Sequence, residues 1–212
     1  MSISRDSVVK WIRNFAEVVS ENREYLTELD SAIGDADHGI NMDRGFKAVV
    51  AKLPEIQDKD IGTILKTVGM TLLSTVGGAG GPLYGTFFMR AGMAAAGKME
   101  LSLEDWVAAL DAGVKGVVMR GKAEPGDKTM VDTLTPAVKA LYRSIEENKS
   151  LEESINISAE AAKKGMEDTI PLVARKGRAS YLGERSAGHQ DPGATSSYLL
   201  LKTAADTWTK SA

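Results

Sequence analysis

The sequence contains no cysteine, which excludes disulfide bonds, thiolate metal sites and a cysteine nucleophile. Such a chain fits a reducing compartment, and any metal site in it is expected to use oxygen ligands. Positive charge is not in excess either, because 26 Lys and Arg stand against 29 Asp and Glu, for a formal net charge of −3. This balance does not predict a surface that binds nucleic acid.

Long apolar runs are also missing. Residues 1–6 lack the apolar stretch of a signal peptide, and no later run is long enough to span a bilayer. We therefore expect a soluble, cytoplasmic protein with no membrane attachment. No linker divides the 212 residues, and we predict a single domain over residues 1–212 with its core at about 5–210.

Apolar residues recur at spacings of three and four along most of the chain, whereas the alternation of a strand between hairpin turns is absent. The pattern predicts an all-α protein with eight helices and no strand. In chain order, the first predicted helix begins near Ser4, the second covers about 40–54, the third carries the apolar positions 61–72, and the fourth follows Pro82. The fifth runs from a cap at Ser102 to Gly121, the sixth carries the apolar positions 131–141, the seventh opens at a capping box at Ser150, and the eighth starts near Pro192.

The loops predicted between these helices are rich in glycine, in charge or in both. In an antiparallel bundle with short connections, alternate loops gather at the same end. The expected loops 30–39, 77–85, 121–128 and 175–193 can therefore build one site together.

Three carboxylates, Asp30, Asp35 and Asp37, lie close together in the sequence, with Gly34 and Gly39 beside them. Carboxylates two residues apart diverge on a helix but converge on a turning backbone, so they can meet if this segment is a loop. Mg²⁺ prefers such oxygen ligands and often shares them with phosphate oxygens. The pattern favours a magnesium site with a bound nucleotide, and a solvated turn is the alternative.

Of two other assignments of the acidic and histidine motifs, one fails on sequence grounds and the other has weak support. An EF-hand that starts at the paired carboxylates would need glycine at Ile40 and glutamate at Phe46. A hydrolase built on Ser186, His189 and Asp191 would need a nucleophile elbow on a strand, and the sequence has neither.

Two further segments suit phosphate. Residues 75–83 (TVGGAGGPL) let backbone N–H groups approach an anion at the start of a helix, although they match neither a P-loop nor GxGxxG. A tightly packed helix connector is the alternative for this segment. Residues 175–185 are rich in Arg and Lys, and arginine binds phosphate oxygens in a bidentate way, although a solvated surface has the same composition.

Taken together, these motifs resemble the nucleotide-binding L subunits of bacterial dihydroxyacetone kinases, over nearly the whole chain. The segments that carry the resemblance are GDADHG (34–39), GGA (77–79), GKAEPGDKTM (121–130), ARKGRASYLGERS (174–186) and GHQDPG (188–193). One departure is Gly80, where members of that family often carry serine. A serine hydroxyl that contacts phosphate would here be replaced by backbone N–H or water.

The resemblance implies an eight-helix antiparallel barrel with a nucleotide pocket at one end. It implies that Asp30, Asp35 and Asp37 bind two Mg²⁺ ions that hold the nucleotide phosphates, and that Arg178 stabilises charge on the transferred phosphoryl group. The residues implied to line the ADP or ATP site are His38, Gly39, Ile40, Asn41, Ala79, Gly80, Gly121, Met130, Arg178, Asp191, Pro192 and Gly193.

The resemblance also implies an activity and partners. Bound ADP would be rephosphorylated in place by a phosphohistidine on the M subunit, a phosphocarrier of the phosphotransferase system. The phosphoryl group would then pass to dihydroxyacetone on a separate K subunit.

Three other functions remain open at this point. The first is an ATP-dependent kinase subunit whose nucleotide exchanges after each turnover. The second is a magnesium-nucleotide sensor that docks on a transcription factor. The third is a stand-alone magnesium-dependent phosphohydrolase.

Overall fold

The structure is a computed structural model that describes residues 2–209. The single domain predicted over 1–212, and its core to about 210, therefore include residues that lie outside the described range. The elements, in chain order, are β1 Ile3–Ser4, α1 Arg5–Glu21, α2 Arg23–Ile33, α3 His38–Ile56, α4 Ile61–Thr75, α5 Gly80–Ala94, β2 Glu100–Leu101, α6 Leu103–Gly121, α7 Met130–Glu146, α8 Leu151–Glu167, a 3-10 segment Arg178–Ser186, and α9 Pro192–Trp208.

All eight predicted helices are present, as α1 and α3 to α9, and the all-α class is confirmed. These eight helices form a closed ring in which each packs against its neighbours in the chain and α9 packs against α1. Successive helices of the ring run in opposite directions, as in an antiparallel bundle. Within residues 2–209 no helix has both the length and the apolar character needed to cross a bilayer.

The structure differs from the sequence prediction at α2, which lies outside the ring against α3 and α9. Its buried residues are Leu26, Asp30 and Ile33, at helical spacing. A carboxylate occupies the middle of this stripe and hides its apolar periodicity. The predicted loop 30–39 is consequently shorter in the structure, where only residues 34–37 lie between α2 and α3.

The prediction of no strand was wrong in one detail. Ile3 pairs with Leu101 and Ser4 pairs with Glu100 in a two-stranded antiparallel sheet. Each strand has only two residues, which is too short to show alternation in the sequence. The pairing joins the start of α1 to the connection between α5 and α6, at the end of the barrel away from the predicted loops.

Side-chain caps fix where several helices begin. The predicted capping box at Ser150 is present, because its hydroxyl accepts the Glu153 N–H while the Glu153 carboxylate accepts the Ser150 N–H. Thr129 and Asp132 form the same arrangement at the start of α7. Each box satisfies backbone donors that the helix itself leaves free.

The core fills the barrel and ends in a tryptophan cluster. The ring centroids of Trp11 and Trp208 are 5.2 Å apart, and those of Trp106 and Trp208 are 4.9 Å apart. The Trp11 indole N–H donates to the Leu200 carbonyl at 3.0 Å, so this buried polar atom has its partner. The cluster joins α1, α6 and α9 near their ends opposite the predicted loops.

Candidate functional site

Four helices of the ring, α3, α5, α7 and α9, begin at the same end of the barrel. The connections that precede them surround a cavity of about 700 Å³. Each helix N-terminus presents the positive end of its dipole to the cavity. The expectation that four loops build one site is confirmed by the residues that line this cavity, and the wall is suited to an anion such as phosphate.

The three predicted carboxylates meet in the cavity wall. Asp30, Asp35 and Asp37 each offer an oxygen within 4.8 Å of the others. Asp30 is buried on α2, and its Oδ2 accepts the N–H groups of Asp37 at 2.9 Å and His38 at 3.2 Å. The side chain of Asp30 therefore holds the start of α3 in place and fixes the position of its neighbour in the cluster.

Gly34 allows this close arrangement. A Cβ atom at Gly34 would lie 2.0 Å from Asp30 Oδ1, so no side chain fits there without displacing the carboxylate. Ala36, between the two later carboxylates, has φ of +60°, an uncommon backbone conformation for a residue with a side chain. The loop is thus shaped to turn both carboxylates toward Asp30.

The donor set fits Mg²⁺. Three carboxylates converge, and one salt bridge balances them in the described part of the chain, from Arg178 Nε to Asp35 Oδ2 at 2.8 Å. Hard divalent cations take oxygen ligands of this kind and compensate the remaining negative charge. Asp30, Asp35 and Asp37 are the residues that would hold the ion.

The segment between α8 and α9 forms the cationic rim of the cavity, which we define as Arg175, Lys176 and Arg178. All three line the cavity. Ala179 in this segment packs with Ile33 of α2 in a small apolar cluster separate from the main core. This packing holds the rim above the acidic residues of the α2–α3 loop.

The glycine-rich loop before α5 is braced by a residue of α3. Arg44 Nε donates to the Thr75 carbonyl at 2.9 Å, and its guanidinium donates to Asn41 Oδ1 at 2.7 Å. A Cβ at Gly77 would lie 2.9 Å from Asn41 Oδ1, so the loop passes directly over this amide. Because guanidinium only donates, Arg44 fixes which side of the Asn41 amide is oxygen.

A buried polar chain lies behind His38. His38 Nε2 is 2.9 Å from Ser196 Oγ, and Tyr84 Oη is 2.7 Å from the same hydroxyl. Burial lowers the pKa of His38, and the carboxylates of Asp30 and Asp37 oppose that shift. Burial also raises the pKa of Tyr84 to about 12. The chain is therefore neutral at physiological pH, and it fixes the orientation of the imidazole in the cavity wall.

Asp191 starts α9 and lines the cavity. Its Oδ2 accepts the Ala194 N–H at 2.7 Å, as a helix N-cap does. Burial raises the pKa of Asp191 to about 7, while the Ala194 N–H and the Lys128 ammonium oppose this rise. A carboxyl group with a pKa so far from its ordinary value is typical of functional sites.

Known proteins are similar to this chain over most of its length. Residues 32–206 match the family model described as the DAK2 domain. The chain belongs to the DAK2 domain family. It is 54% identical over 202 residues, which is 95% of this chain and 96% of the relative, to the ADP-binding subunit DhaL of the PEP-dependent dihydroxyacetone kinase of Escherichia coli K12.

Two further similarities agree with this assignment. The chain is 41% identical, over 93% of its own length and 95% of the relative's, to the ADP-binding subunit DhaL of the PTS-dependent dihydroxyacetone kinase of Lactococcus lactis. A solved structure of the dihydroxyacetone kinase from C. freundii with AMP-PNP and Mg²⁺ matches with a TM-score of 0.70 and 26% identity. That match covers 94% of this chain and 33% of the solved one.

Most of the residues that the family resemblance implied line the cavity of this DAK2 domain. They are Asp30, Asp35, Asp37, His38, Asn41, Ala79, Gly80, Met130, Arg178, Asp191, Pro192 and Gly193. They come from α2, from the connections before α3, α5 and α9, and from the starts of α3, α5, α7 and α9. The fold rather than the sequence order brings them together.

Three implied residues lie outside the cavity wall. Gly39 faces α2, where a Cβ would lie 2.0 Å from the Arg23 carbonyl, and Ile40 is 50% exposed beside a separate groove. Gly121 ends α6 behind Leu83, with 3.2 Å between its Cβ position and Leu83 Cδ2. The first of these residues allows α2 to pack on α3, and the last lets Leu83 approach from behind the wall.

Sequence reasoning missed several residues of the site of this DAK2 domain. Tyr84 and Lys128 both line the cavity, and Arg44 braces Asn41. In the sequence, Tyr84 looks like an ordinary core position of an apolar helix, and Lys128 looks like one charge in a solvated loop. Only the fold shows that Lys128 is 1% exposed.

Proposed function

We propose that this chain is the ADP-binding subunit of a dihydroxyacetone kinase that depends on phosphoenolpyruvate. The observation that carries the proposal is the 54% identity, over nearly the full length of both chains, to the E. coli subunit of that description. The cavity agrees with it in chemistry, because an oxygen-only cation site adjoins four helix N-termini and a cationic rim.

In this proposal, Asp30, Asp35 and Asp37 hold two Mg²⁺ ions. When bound, the ions neutralise and orient the nucleotide phosphates. The N-termini of α3, α5 and α9 present the positive ends of their helix dipoles to the same anionic group, and the Gly77–Gly80 loop lets backbone come close to it. Asn41, Met130 and the start of α9 form the remaining wall around the nucleotide.

Arg178 is the proposed catalytic residue. It lies at the cavity mouth, and its side chain is 66% exposed, so it can contact a substrate presented from outside. During transfer the bond between the β–γ bridging oxygen and the γ-phosphorus would break, leaving ADP, while a substrate hydroxyl oxygen would bond to that phosphorus and give its proton to a base on the partner that presents it. A guanidinium at this position stabilises the negative charge on the phosphoryl oxygens.

The chain would act with partner subunits. We propose that a K subunit presents dihydroxyacetone at the cavity mouth, yielding dihydroxyacetone phosphate, and that the phosphocarrier M subunit of the phosphotransferase system rephosphorylates ADP in place. Docking on a transcriptional regulator is a second proposed role of the same surface. The cavity supplies positioning and charge stabilisation, and the acceptor is supplied by the partner.

The test is the identity of the nucleotide that copurifies. The protein is purified in Mg²⁺, denatured, and the released nucleotide is identified and counted. Near-equimolar ADP that survives gel filtration supports a resident cofactor. An empty protein that exchanges ATP quickly would instead favour the ATP-dependent kinase. Failure to bind either nucleotide would overturn the assignment of the site.

A further inference from the structure

Lys128 is a buried lysine in a loop. It precedes α7, it is 1% exposed, and its backbone φ is +62°, a left-handed conformation that costs free energy for a residue with a side chain. Its ammonium donates to the carbonyls of Thr169 at 2.6 Å, Ile170 at 3.3 Å and His189. All three donors of the ammonium thus have carbonyl partners.

These three carbonyls belong to the two ends of one segment. Thr169 and Ile170 follow α8, and His189 precedes α9. The segment 171–188 runs between them, and its neck is closed further by the Gly188 N–H, which donates to the Ile170 carbonyl at 2.8 Å. The two ends of the segment therefore lie together, as the ends of an Ω-loop do. Here one ammonium from a different loop binds both ends.

The segment closed by Lys128 carries the cationic rim. Arg178 within it reaches Asp35 at 2.8 Å, and the Arg175 N–H donates to the Asp127 carbonyl at 3.1 Å. The segment that carries the rim is therefore held at its neck and at Arg175 by the loop that contains Lys128. The ion pair from Arg178 to Asp35 holds the same segment to the α2–α3 loop.

Two nearby carboxylates favour the charged form of Lys128. Burial lowers the pKa of Lys128, and the carboxylates of Asp191 and Asp132 oppose that shift. Loss of the side-chain ammonium would take one donor from each of the three carbonyls. Ile170 would keep the Gly188 N–H and Thr169 the Leu172 N–H, so the loss would fall mainly on the His189 carbonyl. The ammonium therefore links the His189 carbonyl, before α9, to the carbonyls that follow α8.

We infer that Lys128 is a positioning residue that closes the neck of segment 171–188 and thereby places Arg178 over the acidic cluster. The inference rests on the proposed function, because it assigns Lys128 a role through Arg178. Lys128 itself need not touch the transferred group. Its loss should loosen the rim and lower phosphoryl transfer through misplacement of the guanidinium.

The test combines Lys128→Met with Arg178→Ala in a double-mutant cycle. Lys128→Met alone should lower phosphoryl transfer by the complete kinase about tenfold to hundredfold. In the Arg178→Ala background the same change should have little further effect, because the residue it positions is gone. Additive losses would overturn the inference, since they would mean that Lys128 acts independently of Arg178.

Hydrogen exchange gives a local readout. Lys128→Met should raise amide exchange in segment 171–188 and leave the helices of the barrel as protected as before. Lys122→Met is the matched control, because Lys122 lies in the same loop, also has positive φ, and is exposed. It should change neither exchange nor transfer. Equal effects of the two variants would contradict a special role for Lys128.

If Lys128→Met does not fold, amide exchange in the wild-type protein still tests the inference. The amides of Gly188 and Arg175 should exchange much more slowly than those of 179–184, because the neck is closed in solution. Exchange at Gly188 as fast as at the tip would overturn the inference. Failure of the proposed function is recognised separately, since it would appear as wild-type protein that does not bind ADP.

Discussion

Arg178 Nε lies 2.8 Å from Asp35 Oδ2 and thereby joins the cationic rim to the acidic cluster. The same carboxylate belongs to the proposed cation site. A divalent cation at Asp35 and the guanidinium compete for its oxygens, so cation binding would release Arg178 to contact phosphate. The exposure of both side chains means that the ion pair itself contributes little to the stability of the fold.

Arg178→Ala should lower phosphoryl transfer by about hundredfold or more while changing ADP affinity much less, because the guanidinium acts on charge that develops in the transition state. The midpoint of thermal unfolding should hardly move. Transfer kinetics and titration calorimetry measure the two effects, and Arg185→Ala is the control, because Arg185 lies in the same segment and is exposed but does not line the cavity. Equal losses in affinity and transfer would assign Arg178 to ground-state binding instead.

If the acidic cluster holds the cation that binds the nucleotide, the affinities for Mg²⁺ and ADP should fall together when it is changed. Asp35→Asn or Asp37→Asn should weaken Mg²⁺ and ADP binding together, by about tenfold or more, because each change removes a charged oxygen ligand. Calorimetric titration with ADP at fixed Mg²⁺ measures this loss. Asp58→Asn, an exposed residue at the opposite end of the barrel, should bind as wild type does. Unchanged ADP affinity in the cluster variants would separate the metal from the nucleotide site.

Gly80 offers a gain-of-affinity test. A Cβ at this position would lie 3.3 Å from Val76 Cγ1, so a small side chain needs only a slight shift of its neighbour. Gly80→Ser should fold normally and bind ADP about threefold to tenfold more tightly, through one added hydrogen bond. Gly81→Ser is the steric control, because its Cβ would lie 2.3 Å from the Val76 carbonyl and should destabilise the protein. Unchanged affinity in Gly80→Ser would mean that the hydroxyl does not reach the phosphate.

Arg44 makes a prediction about Asn41. The guanidinium holds Asn41 Oδ1 at 2.7 Å, which leaves the amide nitrogen as the group available to the cavity. Arg44→Gln should lower ADP affinity about threefold to tenfold, because the amide is then free to reverse. Arg13→Gln, whose arginine contacts Gln57 at the other end of α3, serves as control. If Arg44→Gln binds ADP as wild type does, the orientation of Asn41 is not important for binding.

Much of the fold could be predicted because its signals are local. The capping box at Ser150 and the apolar spacing along α1 depend only on neighbouring residues, and both appear in the structure as expected. Helix α2 could not be recognised so easily, since Asp30 interrupts its apolar stripe. That carboxylate is buried because it binds the N–H groups of the next helix, a contact across a turn that periodicity does not reveal.

The residues of the site likewise divide into those with a local sequence signal and those whose roles depend on distant contacts. The carboxylates and the glycine-rich loop are chemically distinctive in the sequence, and the family motifs group them. Lys128 and Tyr84 are not distinctive, because their roles come from partners far away in the chain, such as Thr169 and Ser196. Only the closed ring of helices brings these partners together, and a single sequence read for local patterns carries no record of that proximity.

Asp191 should make stability depend on pH in an unusual direction. Burial raises its pKa to about 7 in the folded protein, whereas an unfolded Asp titrates near about 3.9. The folded state therefore binds more protons between these values, and the contribution of Asp191 to stability is present at low pH and is lost as pH rises through about 7. This is opposite to the behaviour of a salt-bridged carboxylate.

Asp191→Asn should remove this dependence and retain the cap of α9, since asparagine caps helices as well as aspartate does. Relative to wild type, the variant should gain stability as pH rises from 4 to 8, by at most about 4 kcal/mol. Denaturant unfolding without Mg²⁺ or nucleotide measures the difference at each pH. Taking this difference cancels the titration of His38, whose lowered pKa acts in the opposite direction over part of the range.

Asp60→Asn provides the matched comparison, because Asp60 also caps a helix, α4, but lies at the other end of the barrel. Its hydrogen bond from the Thr63 side chain lowers the pKa of Asp60, so its contribution to stability is present above the unfolded pKa and is lost only as pH falls toward acid. The stability difference between Asp60→Asn and wild type should therefore be constant from pH 5 to 8. A constant difference for Asp191→Asn over that range would mean that Asp191 is ionised throughout, and its burial would then be compensated by Lys128 and the α9 N-terminus.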